Sequence, residues 1–188
     1  ITCEMPLPEF SGEVAATEVA AALGADPGAV EIDGHGPQRV TCGTAQLLVP
    51  VASRDLVRGD LRSLDRMTAL MIDHDVAGIT LFCPETDDPA CAFHCRFLRP
   101  DIRCYEDVAS GTCLAAIGAY AVRHGLVPPC DQVTIATEQG LILGRPTRAE
   151  LHVRVLEDQI HRVEVSGTGA VVMRGSFQFQ RQAKQALA

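Results

Sequence analysis

Apolar residues recur along this chain with two periods, and the places where one gives way to the other divide it into elements. Ile1, Cys3, Met5 and Leu7 alternate with Thr2 and Glu4, which predicts a half-buried strand over residues 1–7, ended by Pro6 and Pro8. Residues 13–23 are alanine-rich with Val14, Val19, Ala22 and Leu23 on one side, predicting a short helix closed by Gly24 and an Asp26-Pro27-Gly28 turn. Residues 39–51 read as β structure, with a glycine-containing bend at 41–44 and a buried strand at 47–51. The helical period returns over 61–73, where Leu61, Leu64, Met67, Leu70 and Met71 form an inner stripe and Arg62, Asp65 and Arg66 lie outside. Further strands are predicted at 78–83, 90–98, 133–137, 150–156, 161–166 and 170–179, the 150–156 and 161–166 pair forming a hairpin about Glu157-Asp158-Gln159. An acidic loop spans 84–89, and residues 181–188 form a polar tail.

One stretch obeys neither period. From Cys113 to His124 nearly every side is apolar (Leu114, Ala115, Ala116, Ile117, Ala119, Tyr120, Ala121, Val122), which predicts a helix buried all round and stopped by Gly125. Strands before and after a wholly apolar helix predict an α+β lobe: a curled, mostly antiparallel sheet wrapped around that helix. The helix starts at an acidic, small-residue turn, Glu106-Asp107-Val108-Ala109-Ser110-Gly111-Thr112. Free N–H groups and a partial positive charge at such a start make a seat for a carboxylate.

Composition narrows the function. Apolar residues at 47% and charged ones at 21% describe a soluble globular chain, and no apolar run reaches the length of a membrane span, so the cytoplasm is the expected compartment. A formal charge of −8 argues against nucleic acid and against an anionic membrane as partner. None of the eight cysteines forms a C-x-x-C pair, which fits buried thiols. Cys91, His94 and Cys95 are the one cluster that hints at a metal, but they lack a second ligand pair, and no metal is expected.

Five motifs in order, Arg96-Phe97-Leu98-Arg99-Pro100, the turn Glu106–Thr112, Gly118-Ala119-Tyr120 with His124-Gly125, Glu138-Gln139-Gly140 with Gly144-Arg145-Pro146, and Val165-Ser166-Gly167-Thr168-Gly169-Ala170-Val171, resemble the C-terminal half of the PhzF family of phenazine biosynthesis, which shares the diaminopimelate-epimerase fold. The resemblance implies two similar lobes, each a curled sheet around a central helix, with the active site between them. It implies cofactor-independent isomerases or epimerases that move a proton at an acidic carbon. By motif, Asp107 matches an aspartate that holds substrate or assists proton transfer, Ser110 falls where epimerases of the wider fold place a catalytic cysteine, and Gly111, Thr112 and Cys113 form the substrate seat. Val108 stands where the family commonly has Pro, and Ser110 where it commonly has Thr. The family's first lobe, with a catalytic Glu and a Gly-His motif, is not found in these residues, so residues 1–8 are expected to belong to that lobe or a linker, 9–180 to be the C-terminal lobe, and 181–188 a tail.

Each candidate also has a plain structural use. Glu106 and Asp107 would serve as solvated turn acids, Ser110 and Thr112 as helix caps. Cys113, in the first turn of the helix, would be either a thiolate lowered by the dipole or a buried inert thiol. His35, between Gly34 and Gly36, would be a surface-loop residue or a substitute base, His124 a favourable charge at a helix C-terminus, and residues 41–44 a bend near the cleft. A serine hydroxyl is too weak an acid to carry a proton near neutral pH, so the base must come from elsewhere. The expected partners are a small anionic metabolite and a second polypeptide bearing the first lobe, or a second copy of this chain, with the strand at 1–7 as an orphan edge inviting them. A lobe that binds without turnover, as a scaffold, is the rival reading.

Overall fold

The computed structural model describes residues 1–59, 63–99 and 106–178. Ten strands form one mixed sheet. In chain order they are β1 (Thr2–Met5), β2 (Glu9–Glu13), β3 (Gln38–Thr41), β4 (Ala45–Pro50), β5 (Ile79–Cys83), β6 (Phe93–Leu98), β7 (Glu106–Asp107), β8 (Gln132–Gln139), β9 (Thr147–Leu156) and β10 (Gln159–Ser166). Four α-helices accompany them: α1 (Ala16–Leu23), α2 (Arg54–Arg58), α3 (Leu64–Asp73) and α4 (Gly111–Arg123). Across the sheet the order is β1-β10-β9-β8-β6-β5-β4-β3-β2, with β7 hydrogen-bonded to β6. Only β4 with β5 and β6 with β8 run parallel; the other pairs are antiparallel, as the sequence leads one to expect.

The sheet carries a core on each face. Leu47, Val49, Ile79 and Leu81 point to one side, where Val19, Leu23, Val57, Met67 and Leu70 from α1, α2 and α3 cover them. Leu48 and Phe82, one register position away, point to the other side and meet α4. Central strands buried on both faces read as unbroken apolar runs, which is why 47–51 and 79–83 lack alternation. Helix α4 is buried from Cys113 to Ala121. Gly118 lets it approach β9: a Cβ there would lie 3.3 Å from Leu151.

The departures from expectation have physical reasons. Strand β2 occupies Glu9–Glu13, so α1 begins at Ala16 rather than at Glu13. The short α2 escapes periodicity because five residues hold barely one turn. The strand at the chain start is neither half-buried nor orphaned. Thr2–Met5 pairs antiparallel with β10, Cys3 opposite Val165, and only Met5 is partly covered, because an outermost strand of a sheet has one neighbour. The described part of 170–179, residues 170–178, is not a strand at all, and Val171, Val172 and Met173 are exposed. The tail predicted at 181–188, together with Leu61, Arg62 and Cys104, lies outside the described residues.

Candidate functional site

The two-residue strand β7 delivers Asp107 to the mouth of α4. Phe97 pairs with Asp107 and Leu98 with Glu106, so the turn grows directly out of the buried strand β6. Its rear is fixed by charge. Arg96, 10% exposed, donates from Nε to Glu106 Oε2 at 2.9 Å, and Glu106 is 8% exposed. The same guanidinium donates to the carbonyls of Val57 and Gly59 at 3.0 Å, tying α2 to the turn. Glu106, adjacent to Asp107 in sequence, is therefore a structural acid with a buried side chain, whereas Asp107 is half-buried and, among the described residues, accepts from the Ala109 N–H at 3.4 Å.

The Glu138-Gln139-Gly140 motif braces the turn from the other side. Gln139 donates to the Asp107 carbonyl at 2.8 Å, and Thr147 to the Val108 carbonyl at 2.8 Å. Gly140, at φ 77°, is seated so closely that a Cβ would lie 2.4 Å from the Arg145 carbonyl and 2.8 Å from that of Val108. Behind them Glu138 accepts from the backbone N–H groups of Asp87 and Asp88 and from His94 Nδ1, at 2.7, 2.9 and 2.7 Å. Burial alone would raise its carboxyl, but these donors outweigh it and hold the group below its ordinary range. His94 is thus a partner of Glu138, and among the described residues no three His, Cys, Asp or Glu gather as a metal site.

Ser110 occupies the N-cap position of α4 without capping it. Its hydroxyl donates to Cys113 Sγ at 3.0 Å, and no side chain caps the first turn. Gly111 is exposed and Thr112 half-buried. Thr112 reaches across to the bend after β3: Thr44 donates to its hydroxyl at 3.3 Å, and Gln46 donates to Thr44 at 2.8 Å. Gln46 is 1% exposed and its Oε1 has no partner among the described residues. The bend at 41–44 is thereby part of the mouth. Cys113 lies beneath, fully buried, and burial pushes its thiol up to about 11, so it is no thiolate at neutral pH. What Cys113 can offer a ligand is its backbone N–H.

At the opposite end of α4 His35, half-buried in its loop, packs against the helix. Its ring lies 4.6 Å from that of His124, which lies 4.2 Å from Tyr120. Burial, then His35 and then Arg123 lower the His124 pKa, so its neutral form is favoured, contrary to a simple helix-dipole role. A hollow of about 120 Å³ sits beside this cluster, and a wider groove of about 670 Å³ runs past Phe10, Arg123, Val127, Val155 and Ile160. Neither reaches Asp107 or Thr112. The hydroxyls, uncapped amides and carboxylate converge elsewhere, on an open surface that a second wall would turn into a cleft.

An α+β lobe whose curled sheet encloses one apolar helix, with a hydroxyl-rich helix mouth at its edge, belongs to the epimerase-like class of folds. The family model for phenazine biosynthesis-like proteins matches residues 1–175, and the chain belongs to that PhzC-PhzF family. An uncharacterized isomerase of Mesorhizobium japonicum is 28% identical over 84% of this chain and 53% of its own length. The trans-2,3-dihydro-3-hydroxyanthranilate isomerase of Pseudomonas chlororaphis is 28% identical over 92% of this chain and 57% of its own. A solved PhzF-family protein of Bacillus anthracis superposes with a TM-score of 0.77 at 19% identity, covering 89% of this chain and 56% of that one. The chain therefore spans little more than half the length of the relatives it matches. Among the described residues no helix is long and apolar enough to cross a membrane.

Proposed function

We propose that this chain is the C-terminal half, or subunit, of a cofactor-independent, cytoplasmic isomerase or epimerase of the PhzF kind, moving a proton on a small carboxylate-bearing metabolite. The observation that carries the reading is the mouth of α4: a first turn with no side-chain cap, ringed by Ser110, Thr112 and Thr44, beside the half-buried Asp107. Leaving a helix start uncapped costs stability, typically about 1 kcal/mol, and a bound carboxylate recovers it. Gly111, Thr112 and the Cys113 amide hold that carboxylate, while Asp107 orients the reacting carbon or assists the transfer. The Ser110 hydroxyl donates a hydrogen bond to the Cys113 thiol and, among the described residues, bonds no carboxylate or imidazole, so in this reading the base is a carboxylate supplied by a complementary first lobe.

The test is deuterium incorporation from solvent. The gene product, as the cell makes it, is incubated in D₂O with trans-2,3-dihydro-3-hydroxyanthranilate, the compound in the relatives' names, and with a panel of small unsaturated and amino carboxylates. Exchange at the migrating position, lowered about 100-fold or more in Asp107→Asn, is the expected result. Ligand-induced stabilisation with no exchange overturns it in favour of a binding module, and neither exchange nor binding overturns both.

A further inference from the structure

Gln46 is a misfit on its strand. It stands beside Leu47, Leu48 and Val49 in β4, is 1% exposed, and shares with Leu48 the face turned to α4. A buried amide ordinarily satisfies both its ends, because a polar atom left without a hydrogen bond costs stability. Here Nε2 donates to Thr44 Oγ1 at 2.8 Å, while Oε1 has no partner among the described residues. A methionine would fill much the same space without that cost, so what this side chain contributes comes through its N–H end.

That end fixes a direction. An amide nitrogen can only donate and a hydroxyl has one proton, so Thr44 accepts from Gln46 and gives its own proton to Thr112 Oγ1, at 3.3 Å. Thr112 thus receives on its oxygen, and its own proton must point elsewhere. Its methyl lies toward Gly43, where an added Cβ would stand 3.4 Å from Cγ2, so that flank is packed. Among the described residues the proton reaches no oxygen or nitrogen, and the thiol of Cys113 next to it is a weak acceptor. What remains is the open mouth, beside the uncapped first turn. A hydroxyl that already accepts is also a stronger donor. Without the bond from Gln46 the pair would run in either direction, and half of the arrangements would turn the Thr112 proton away from the mouth.

We propose that Gln46 is a positioning residue of the carboxylate seat, ordering the Thr44–Thr112 pair so that Thr112 presents its proton to the ligand. The proposal rests on the reading above in that the mouth of α4 takes an anion. It makes the seat a set of donors, selective for an ionised carboxylate over the matching neutral amide. Gln46 itself is covered by the chain and acts through the two threonines.

The test is acetate binding to the gene product as the cell makes it, followed by the backbone amide resonances of Gly111, Thr112 and Cys113, with acetamide as the neutral counterpart. Gln46→Met is expected to weaken acetate about 3- to 10-fold, to leave acetamide within about 2-fold, and to melt no lower than the parent. Thr44→Val, at an exposed position, is expected to weaken acetate by a similar factor, and Gln46→Met added to it to cost no more than about 2-fold further, because the relay is already cut. Gln46→Glu supplies a readout that a packing role would not move. Protonated, its carboxyl donates as the amide does; ionised, it only accepts and reverses the pair. Compared with the parent at the same pH, that variant is expected to bind acetate nearly as well while the carboxyl is protonated and about 10-fold less well once it ionises, and adding Thr44→Val should remove most of the difference. Parent-like acetate binding by Gln46→Met, or full additivity with Thr44→Val, overturns the relay and leaves the seat standing. A pH dependence that survives Thr44→Val in full is charge repulsion and overturns it as well. Equal loss of acetate and acetamide with a lower melting temperature makes Gln46 a packing residue and does the same. Acetate that leaves all three amides of the parent unmoved overturns the seat, and the relay falls with it.

Discussion

The two ends of α4 are built to opposite designs. At the C-terminal end the backbone closes on itself: His124 N–H donates to Tyr120, Gly125 to Val122 and Leu126 to Ala121, a Schellman closure with Gly125 at φ 67°. Tyr120 donates to the Gly36 carbonyl at 2.7 Å, and His124 Nε2 meets Gln38 Oε1 at 3.0 Å. At the N-terminal end the cap position holds a serine turned toward the Cys113 thiol, and the buried Gln46 Oε1 has no partner among the described residues. The hollows lie at the sealed end, while the uncapped first turn and Gln46 Oε1 lie at the open one. Volume follows loose surface packing, whereas a helix start without a cap follows from where the chain turns its polar side chains, and in this lobe the two lie at opposite ends of α4.

The difference is broken most severely by removing what supports the open end. Arg96→Ala removes the guanidinium beside the buried Glu106 side chain and leaves the Val57 and Gly59 carbonyls without that donor, and should cost about 2–3 kcal/mol, read as a fall in the urea midpoint. Adding Glu106→Gln should restore part of that loss, since a neutral amide has less need of the missing guanidinium than a carboxylate. A loss under about 1 kcal/mol would mean the turn carrying Asp107 does not depend on the pair.

Glycines give the next contrast. Gly140 and Gly125 share a left-handed backbone, φ 77° and 67°, but only Gly140 has backbone oxygens where a Cβ would go. Gly125→Ala should therefore cost about 1 kcal/mol from conformation alone. Gly140→Ala adds a backbone shift at Val108 for a total of about 2–3 kcal/mol. Equal losses at the two sites would remove the claim that Gly140 braces the turn.

Much of this was legible in the chain. The apolar run from Cys113 to Ala121 specifies a helix with no exposed stripe, and Gly125 its stop, because both depend on local composition. The Glu157-Asp158 hairpin was readable for the same reason, both residues adopting positive φ at 50° and 59°. What could not be read were relations between distant residues. His94 could be placed only in a cluster with Cys91 and Cys95, because its partner, Glu138, lies 44 positions away across a parallel strand pair. Arg96 and Gln139 were visible only as members of motifs, although a buried Arg on an otherwise apolar strand was a signal that a charged partner must exist. The Ser110 hydroxyl could be read as a cap or as part of the site, because sequence gives its position, not its direction.

Acid separates the ends by pH. His124 titrates below its ordinary value in the fold, so its contribution is complete above about 6.5 and is lost as pH falls below that. Glu138 is also depressed, but as a carboxylate its contribution persists until pH falls below about 4.5. Urea midpoints should thus begin to decline between pH 7 and 5.5, and His124→Gln should flatten that limb and leave the decline below 4.5, which Glu138→Gln should reduce. Decline in a single step near 4.5 would show that the histidine end contributes nothing.

The smallest expected effect bears most directly on the open mouth. Ser53 and Ser63 cap α2 and α3, each accepting a backbone N–H at 3.4 Å, so replacing Ser63 by Ala should cost about 1 kcal/mol. Ser110 stands at the same position of a longer helix but accepts no such bond, so Ser110→Ala should change the urea midpoint by less than about 0.5 kcal/mol. It removes the donor that lowers the Cys113 thiol, which burial already holds near 11, so the thiol should label with iodoacetamide no faster than in the parent, while the exposed Cys3 and Cys130 react readily in both. A full cap-sized loss on Ser110→Ala would mean the hydroxyl turns to the amides in solution and the helix start is already satisfied. The seat for a carboxylate would then be filled by the chain itself, and the two ends of α4 would no longer differ in kind.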